Sequence, residues 1–411
     1  MAQRQRAWFP GYTVEEMHHW HQTVEEMQRS DQLASWSDYE AGGPLTRYLY
    51  LNSSEFGSQA LILRAGPVSD LPVALDDRFA EHSVTTRQGT LTLDDYVYHP
   101  ESGVDGVVVV QRGRIVYEAY PRMRPLDKHL LMSTSKTFVG LLVALLIERG
   151  QVEEHAPIER YLPELTDSGW AGTSIRDLLN HASGIDSREG ESGSYHNPEN
   201  PHYKYEASLG ASDISTYAYM AEYKRARPTG ERYEYASVNT FVLAWLAERM
   251  TNLPFHELIS REVWQKIGAE GDAMIGISPL GAPNPHGGLY TNTRDLARFG
   301  LLYTPSWPVV SQERIVTPWY LDRIRHDGRS DIFESASFDE VYGEDRPPTR
   351  SWHWHATWTD GDIFHPGYQG QGLFVSTVRD MVVAYFGSVE VQGPWNELRA
   401  IARRLSVELG S

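Results

Sequence analysis

Leu130-Leu131-Met132-Ser133-Thr134-Ser135-Lys136, running into the apolar stretch Phe138 to Ile147, decides how this chain is read. Asp127-Lys128-His129 before it and the apolar stretch after it place Ser133 at a helix N-terminus. There, free backbone N–H groups and the positive end of the helix dipole favour a developing oxyanion. Lys136 falls one turn along, on the same face. A serine hydroxyl is a poor nucleophile at neutral pH, and a buried lysine that loses or relays a proton supplies what it lacks. A Ser-x-x-Lys match alone also arises by accident on a surface helix. Lysine is scarce, however: Lys128, Lys136, Lys204, Lys224 and Lys266 are the only ones among 37 basic side chains. Arginine at position 136 could not have given up a proton.

The 411 residues, 41% hydrophobic and 11% aromatic, are enough to bury a large core divided into two or three units. A net charge of −18 argues against nucleic acid or an anionic membrane as partner, because both need a basic surface. Cysteine is absent, so disulfides and thiolate metal sites are excluded. The start, Met1 to Glu16, shows no apolar h-region and no small-residue cleavage site, from which a cytoplasmic location is expected. Phe138 to Ile147 is about half the length needed to span a bilayer and reads as a buried core helix.

Residues up to about Thr86 form a polar, turn-rich extension with a short duplication, Thr13-Val14-Glu15-Glu16-Met17 and Thr23-Val24-Glu25-Glu26-Met27, read as one amphipathic helix. His18, His19 and His21 lie between the copies and read as a solvated face rather than a metal site. Val104 to Tyr120 predicts a hairpin with its turn at Gln111-Arg112-Gly113-Arg114, and the helix after Ser133 is expected to pack on it. A short helix follows at Ser174 to Asn180, then a Gly/Ser/Asn/Pro-rich loop, Ser187 to Tyr205, of the kind that covers active sites. Helical periodicity runs through Ser212–Tyr223, Val238–Met250, Phe255–Lys266 and Thr293–Leu302, with irregular sequence after that. Trp352-His353-Trp354-His355 alternates as a strand would, tryptophans on one face and histidines on the other. A zinc site there would lack a third ligand. Leu373–Val375 and Met381–Phe386 complete the sheet, and Pro394–Leu409 reads as a terminal helix.

Two further patches bear on chemistry. Pro228-Thr229-Gly230-Glu231-Arg232-Tyr233-Glu234-Tyr235 presents a tyrosine just before a helix. Its phenol could take the Ser133 proton and pass it to a leaving group, provided Lys136 lowers its pKa; a buried aromatic with a satisfied hydroxyl is the alternative. His365-Pro366-Gly367-Tyr368-Gln369-Gly370-Gln371-Gly372 reads as a glycine-crowded strand start. From this edge strand the N–H of Tyr368 would join that of Ser133 in an oxyanion hole; an ordinary glycine-rich turn is the alternative.

Taken with Gly113-Arg114-Ile115-Val116-Tyr117-Glu118, Leu178 to Ile185, Asn239, Gly287-Gly288-Leu289 and Thr293 to Arg298, these patches resemble the serine hydrolases of the β-lactamase and penicillin-binding-protein fold. The resemblance covers roughly Val104 to Phe386 and is closest to the class C branch, family VIII carboxylesterases and 6-aminohexanoate-dimer hydrolases. It implies an α/β (α+β sandwich) fold with an antiparallel sheet flanked by helices. The α/β part would comprise residues 1–173 and 286–411, with the mostly helical 174–285 inserted. It also implies Ser133 as acyl-forming nucleophile, Lys136 as activator, Tyr235 as proton carrier, and Ser133 and Tyr368 as backbone oxyanion donors. Ser237 takes the position where class C β-lactamases usually carry asparagine. Asn239, His181, Tyr195, Glu191, His365, Gly367 and Gln371 are the expected supporting or substrate-binding residues.

Two departures from the pattern narrow the chemistry. The family's Lys-Thr-Gly triplet is here His365-Pro366-Gly367, so the cation that would bind a β-lactam carboxylate is missing, which argues against antibiotic hydrolysis. Where the nylon-oligomer enzymes place a tyrosine on the amide leaving group, alignment on Ile185-Asp186 puts Glu191, with Tyr195 the nearest aromatic. The expectation is a cofactor-free, metal-free hydrolase of small esters or linear amides, with acyl transfer or a catalytically idle binding member as alternatives. A homodimer is compatible with this reading.

Overall fold

The computed structural model describes residues 42–334, 338–389 and 397–410. The duplicated segment with His18, His19 and His21 lies outside them, as do residues 394–396 of the expected terminal helix.

The described chain opens with helix α1 (Gly43–Leu51), strand β1 (Gln59–Ile62) and a small ladder of β2 (Ser83–Thr86) and β3 (Gly89–Thr92). The expected hairpin forms as β4 (Val104–Gln111) and β5 (Arg114–Ala119). Next come β6 (His129–Leu130), a 3-10 turn Met132–Ser135 and helix α2 (Lys136–Glu148). The middle of the chain is mostly helical, with α3 (Ile175–Leu179), α4 (Pro201–Gly210) and α5 (Ser237–Thr251). After β7 (Ala273–Gly276), β8 (Leu289–Thr291) and α6 (Thr293–Leu301), the chain returns to strands: β9 (Thr349–Ser351), β10 (Trp354–Thr357), β11 (Asp362–Gly367), β12 (Gln371–Ser376) and β13 (Met381–Gly387). Helix α7 (Leu398–Leu409) closes the described chain.

One seven-stranded antiparallel sheet, ordered β5-β4-β13-β12-β11-β10-β9, organises these elements. Val109 pairs with Val383, so early and late parts of the chain share one ladder. Along β13, Met381, Val383 and Tyr385 pack with Val107, Val109 and Phe374 and with Leu398, Ile401 and Leu405 of α7. Val382, Ala384 and Phe386 face the opposite way, into the larger core. A strand covered on both faces needs no polar alternation, which is why Met381 to Phe386 reads as a continuous apolar run. A second sheet, β1-β7-β8-β6, carries β6 up to the serine turn; in it β7 and β8, on either side of residue 285, pair with each other.

Several expectations need correction. The helix lying chiefly against β4 and β13 is α6, not α2. Every residue of α2 from Lys136 to Leu146 is buried, and a helix apolar all round needs partners on every side, so α2 sits one layer deeper. It packs on α5, and Phe138 stacks on Phe299 of α6 with ring centroids 3.9 Å apart. Of Trp352-His353-Trp354-His355, expected as one strand, only Trp354 and His355 are in a strand, the start of β10; Trp352 and His353, at φ 49° and 63°, form the tight turn that joins β9 to it. Turns of this hand join antiparallel strands with the right twist. Here the turn is held by Trp352 N–H on Asn180 Oδ1 (3.0 Å) and His353 N–H on the Leu179 carbonyl (3.0 Å).

The expected loop to Tyr205 ends earlier, because Asn200 caps α4 and Pro201 starts it. The helix expected at Ser212–Tyr223 covers only Thr216–Met220. Within the stretch read as irregular, Pro318–His326 is a helix capped by Thr317, a start signal the sequence does carry. Among the described residues no helix is long and apolar enough to cross a membrane.

Candidate active site

Met132 takes a left-handed φ of 47° and swings the chain from β6 into the 3-10 turn that heads α2. Side chains rarely adopt that conformation, and where they do it commonly serves a site. Ser133 is half-buried, while Thr134, Ser135 and Lys136 behind it are buried. Lys136 Nζ lies 3.0 Å from Ser133 Oγ and 3.0 Å from the His286 carbonyl. Burial pulls the ammonium down to about 8, against the opposing pull of Glu189 and Glu206. A lysine so placed is close to losing its proton at neutral pH.

Tyr235 ends the turn before α5, and its hydroxyl is hydrogen-bonded to Ser133. The expectation that Lys136 lowers the phenol's pKa is not met. Burial, reinforced by Glu189, holds Tyr235 well above the usual tyrosine range, with the Ser133 hydrogen bond pulling the other way. Lys136 lies against the ring face, 4.9 Å from its centroid. Tyr235 is therefore a neutral phenol, and Lys136 is the group poised to change charge.

Histidines wrap the Tyr235 ring. His181 lies 4.8 Å from it and stacks on His353 at 4.6 Å, while His355 stands 5.9 Å away, with His365 beyond it at 5.8 Å. Burial pushes all four below the usual histidine value, His353 to about 3 with Lys136 as the next cause. His181 Nδ1 faces the Ala236 N–H (3.3 Å) and Asn239 Nδ2 (3.3 Å). A backbone N–H only donates, so this nitrogen is the acceptor and the ring proton sits on Nε2.

The opposite wall is the β11–β12 turn. His365-Pro366-Gly367 closes β11 rather than starting a strand, and β11 is not an edge of the sheet. Its partner β10 pairs only as far as Phe364, however, so the His365–Gly367 end faces the serine turn. A Cβ on Gly367 would stand 2.4 Å from the Leu131 carbonyl, so glycine is what lets the two backbones meet. Thr134 Oγ1 reaches the His365 carbonyl at 3.4 Å. Gln371 braces the turn, donating from Nε2 to the Tyr368 carbonyl (2.7 Å) and accepting from Gly387 N–H (3.0 Å).

Between these walls lies a cavity of about 150 Å3 lined by Ser133, Tyr195, Glu206, Ser237, His286 and Tyr368, among others. Tyr195 stands edge-on to His202 at 4.6 Å and stacks along Tyr368 at 6.0 Å. Glu191 is exposed on the outer loop, a correction to its expected place. The inward carboxylate of that loop is Glu189, which accepts from both the N–H and the hydroxyl of Ser237. Two residues back in a turn reverses direction, so register in an unpaired loop was enough to misplace the acid.

Glu206 and His286 were also missed. His286 Nε2 meets Glu206 at 2.8 Å and its Nδ1 meets the Tyr205 hydroxyl at 2.7 Å. Burial raises the Glu206 carboxyl, but His286, His202 and Lys136 outweigh it and leave it below the ordinary carboxylate value. The adjoining Gly287-Gly288 was the one available signal. Among the described residues no group of three or more His, Asp or Glu could hold a metal ion.

Sheet, helices and cleft together define a hydrolase of the β-lactamase fold. Residues 96–406 match the pattern of the family described as beta-lactamase, and the chain belongs to that family. It is 29% identical over 365 residues to the 6-aminohexanoate-dimer hydrolase of Paenarthrobacter ureafaciens, covering 87% of this chain and 88% of that one. Among solved structures it resembles a Bacillus anthracis protein provisionally assigned as a 6-aminohexanoate-dimer hydrolase, with TM-score 0.73, 21% identity, and 92% and 97% of the two chains covered. EstA of Arthrobacter nitroguajacolicus Rue61a shares the fold at TM-score 0.55 and 16% identity, over 76% of this chain and 93% of its own.

Proposed function

We propose that the chain cleaves small carboxylic esters or linear amides through an acyl-enzyme on Ser133. The observation that carries this reading is Lys136 Nζ at 3.0 Å from Ser133 Oγ, buried, with its pKa drawn down to about 8. Neutral Lys136 takes the Ser133 proton as Oγ attacks the carbonyl carbon. The N–H groups of Ser133 and Tyr368 receive the oxyanion. Tyr235, a neutral phenol, gives its proton to the departing oxygen or nitrogen and recovers one from the Lys136 ammonium. Water then attacks the acyl carbonyl by the same route in reverse. The similarity to a 6-aminohexanoate-dimer hydrolase supports including amides. The cavity near 150 Å3 favours a slender acyl group.

Fluorophosphonate labelling read by intact mass, run alongside turnover of p-nitrophenyl acyl esters and a 6-aminohexanoate dimer, tests this. Wild type should gain one adduct on Ser133. Ser133→Ala should gain none and lose at least about a thousandfold in turnover. An adduct elsewhere, or unchanged turnover by the variant, refutes it.

A further inference from the structure

Ser237 is buried, lines the cavity beside Ser133, and is tied to Glu189 twice. One carboxylate oxygen accepts the Ser237 backbone N–H, and the other accepts its hydroxyl at 2.7 Å. The Glu189 side chain is only 8% exposed, with His202 Nδ1 3.8 Å away on its other side. A backbone N–H can only donate and a carboxylate can only accept, so the hydroxyl proton of Ser237 points at Glu189. What Ser237 Oγ then turns toward the cavity is lone pairs, with no proton left to give.

Resting on the proposed hydrolase reading, we infer that Ser237 is a specificity-determining acceptor, locked by Glu189 as its positioning residue, and that it reads an N–H group on the substrate. The substrates selected are therefore amides, either at the scissile bond or in the acyl part, over compounds offering only oxygen at that point. An ester oxygen or a tertiary nitrogen placed against Oγ meets lone pair with lone pair and leaves Oγ unsatisfied. Glu189 acts through Ser237 and takes no part in bond making.

The test is binding to Ser133→Ala protein, measured by calorimetry with acetylglycine butylamide and its two analogues methylated at one nitrogen each. Methylating the nitrogen that faces Ser237 should weaken binding about tenfold or more. In the Ser133→Ala/Ser237→Ala protein the same methylation should cost less than about threefold. Glu189→Gln should also shrink the penalty. The Ser237 backbone N–H claims the new amide's oxygen, so its NH2 faces Oγ and frees the serine proton to point at the ligand. A merely structural effect of either substitution would weaken all three ligands together and leave their ratio unchanged. Equal binding of the three ligands, no measurable binding, or a penalty that survives Ser237→Ala overturns the inference. None of these outcomes touches the acyl-enzyme reading, which stands or falls on labelling of Ser133.

Discussion

Lys136 carries the pH dependence expected of this site. Because its folded-state value is about 8, the neutral amine that the proposed reaction needs accumulates as pH rises. kcat/KM should climb along a limb with its inflection near pH 8 and level off above it. Lys136→Arg should remove that limb together with activity, since a guanidinium does not deprotonate in this range. Stability follows with its own sign. The unfolded chain holds the lysine proton up to the ordinary value of 10.5, so between about 8 and 10.5 the unfolded state binds more protons and this group's contribution to stability rises with pH. Ser133, Lys136 and Tyr235 were legible in the sequence because two of them are bound by helical spacing and the third precedes a helix start. Glu189, Glu206 and His286 were not, since their convergence depends on the path of residues 187–200 and on α4, and neither has a local period.

At the scale of elements, hairpins were readable where turn residues said so, as at Arg112-Gly113, and misread where they did not. Trp352-His353 has no glycine or asparagine to mark a left-handed turn, so its alternation passed for a strand. The hairpin that matters most to the proposed chemistry is β11–β12, because its tip carries Tyr368, the proposed second oxyanion donor. Gly367→Ala would push a methyl into the Leu131 backbone at 2.4 Å, so strand or serine turn must shift. The expected result is about 1–3 kcal/mol lost in urea unfolding, with a drop in kcat larger than any rise in KM. Gly190→Ala, in a loop with no atom within 4 Å of the added carbon, should leave both unchanged and serves as the control. If Gly367→Ala behaves like Gly190→Ala, the close approach is not what holds the β11–β12 turn against the serine turn.

Across the whole molecule, the serine turn is fastened from behind by a buried charge. Asp105 on β4 is fully buried and accepts from Arg47 Nε of α1 (2.6 Å), from His129 Nε2 of β6 (3.2 Å) and from Ser388 Oγ just after β13 (3.1 Å). Tyr50 of the same α1 hydrogen-bonds Gln369 in the β11–β12 turn, and Gln369 is tied in turn to the Val389 backbone. Burial alone would raise the Asp105 carboxyl, but Arg47 and His129 outweigh it and hold it below 3.8. Its stabilising contribution is thus present above that pH and lost as pH falls through the lower folded-state value. Arg47→Ala leaves the carboxylate buried with less compensation, so it should cost about 3 kcal/mol at neutral pH and move acid unfolding to higher pH. Circular dichroism during an acid titration checks this, and an unmoved midpoint would show that the arginine is dispensable. None of this network was legible beforehand, because its members come from five separate places in the chain and share no motif.

The pairing of β4 with β13 has a consequence for how the protein comes into being. On the ribosome, the Val104–Ala119 hairpin emerges early and must wait for Met381–Gly387, almost the entire remaining chain, before its inner edge is covered. Pairings this distant in sequence form slowly and leave apolar strand edges open in the meantime. Ser133 and Lys136 are translated long before Tyr368, so under the proposed mechanism the nascent chain carries its nucleophile before the turn that would complete the oxyanion hole. On that reading, reactivity arrives only at the end of synthesis, and prematurely terminated chains of this protein stay unreactive.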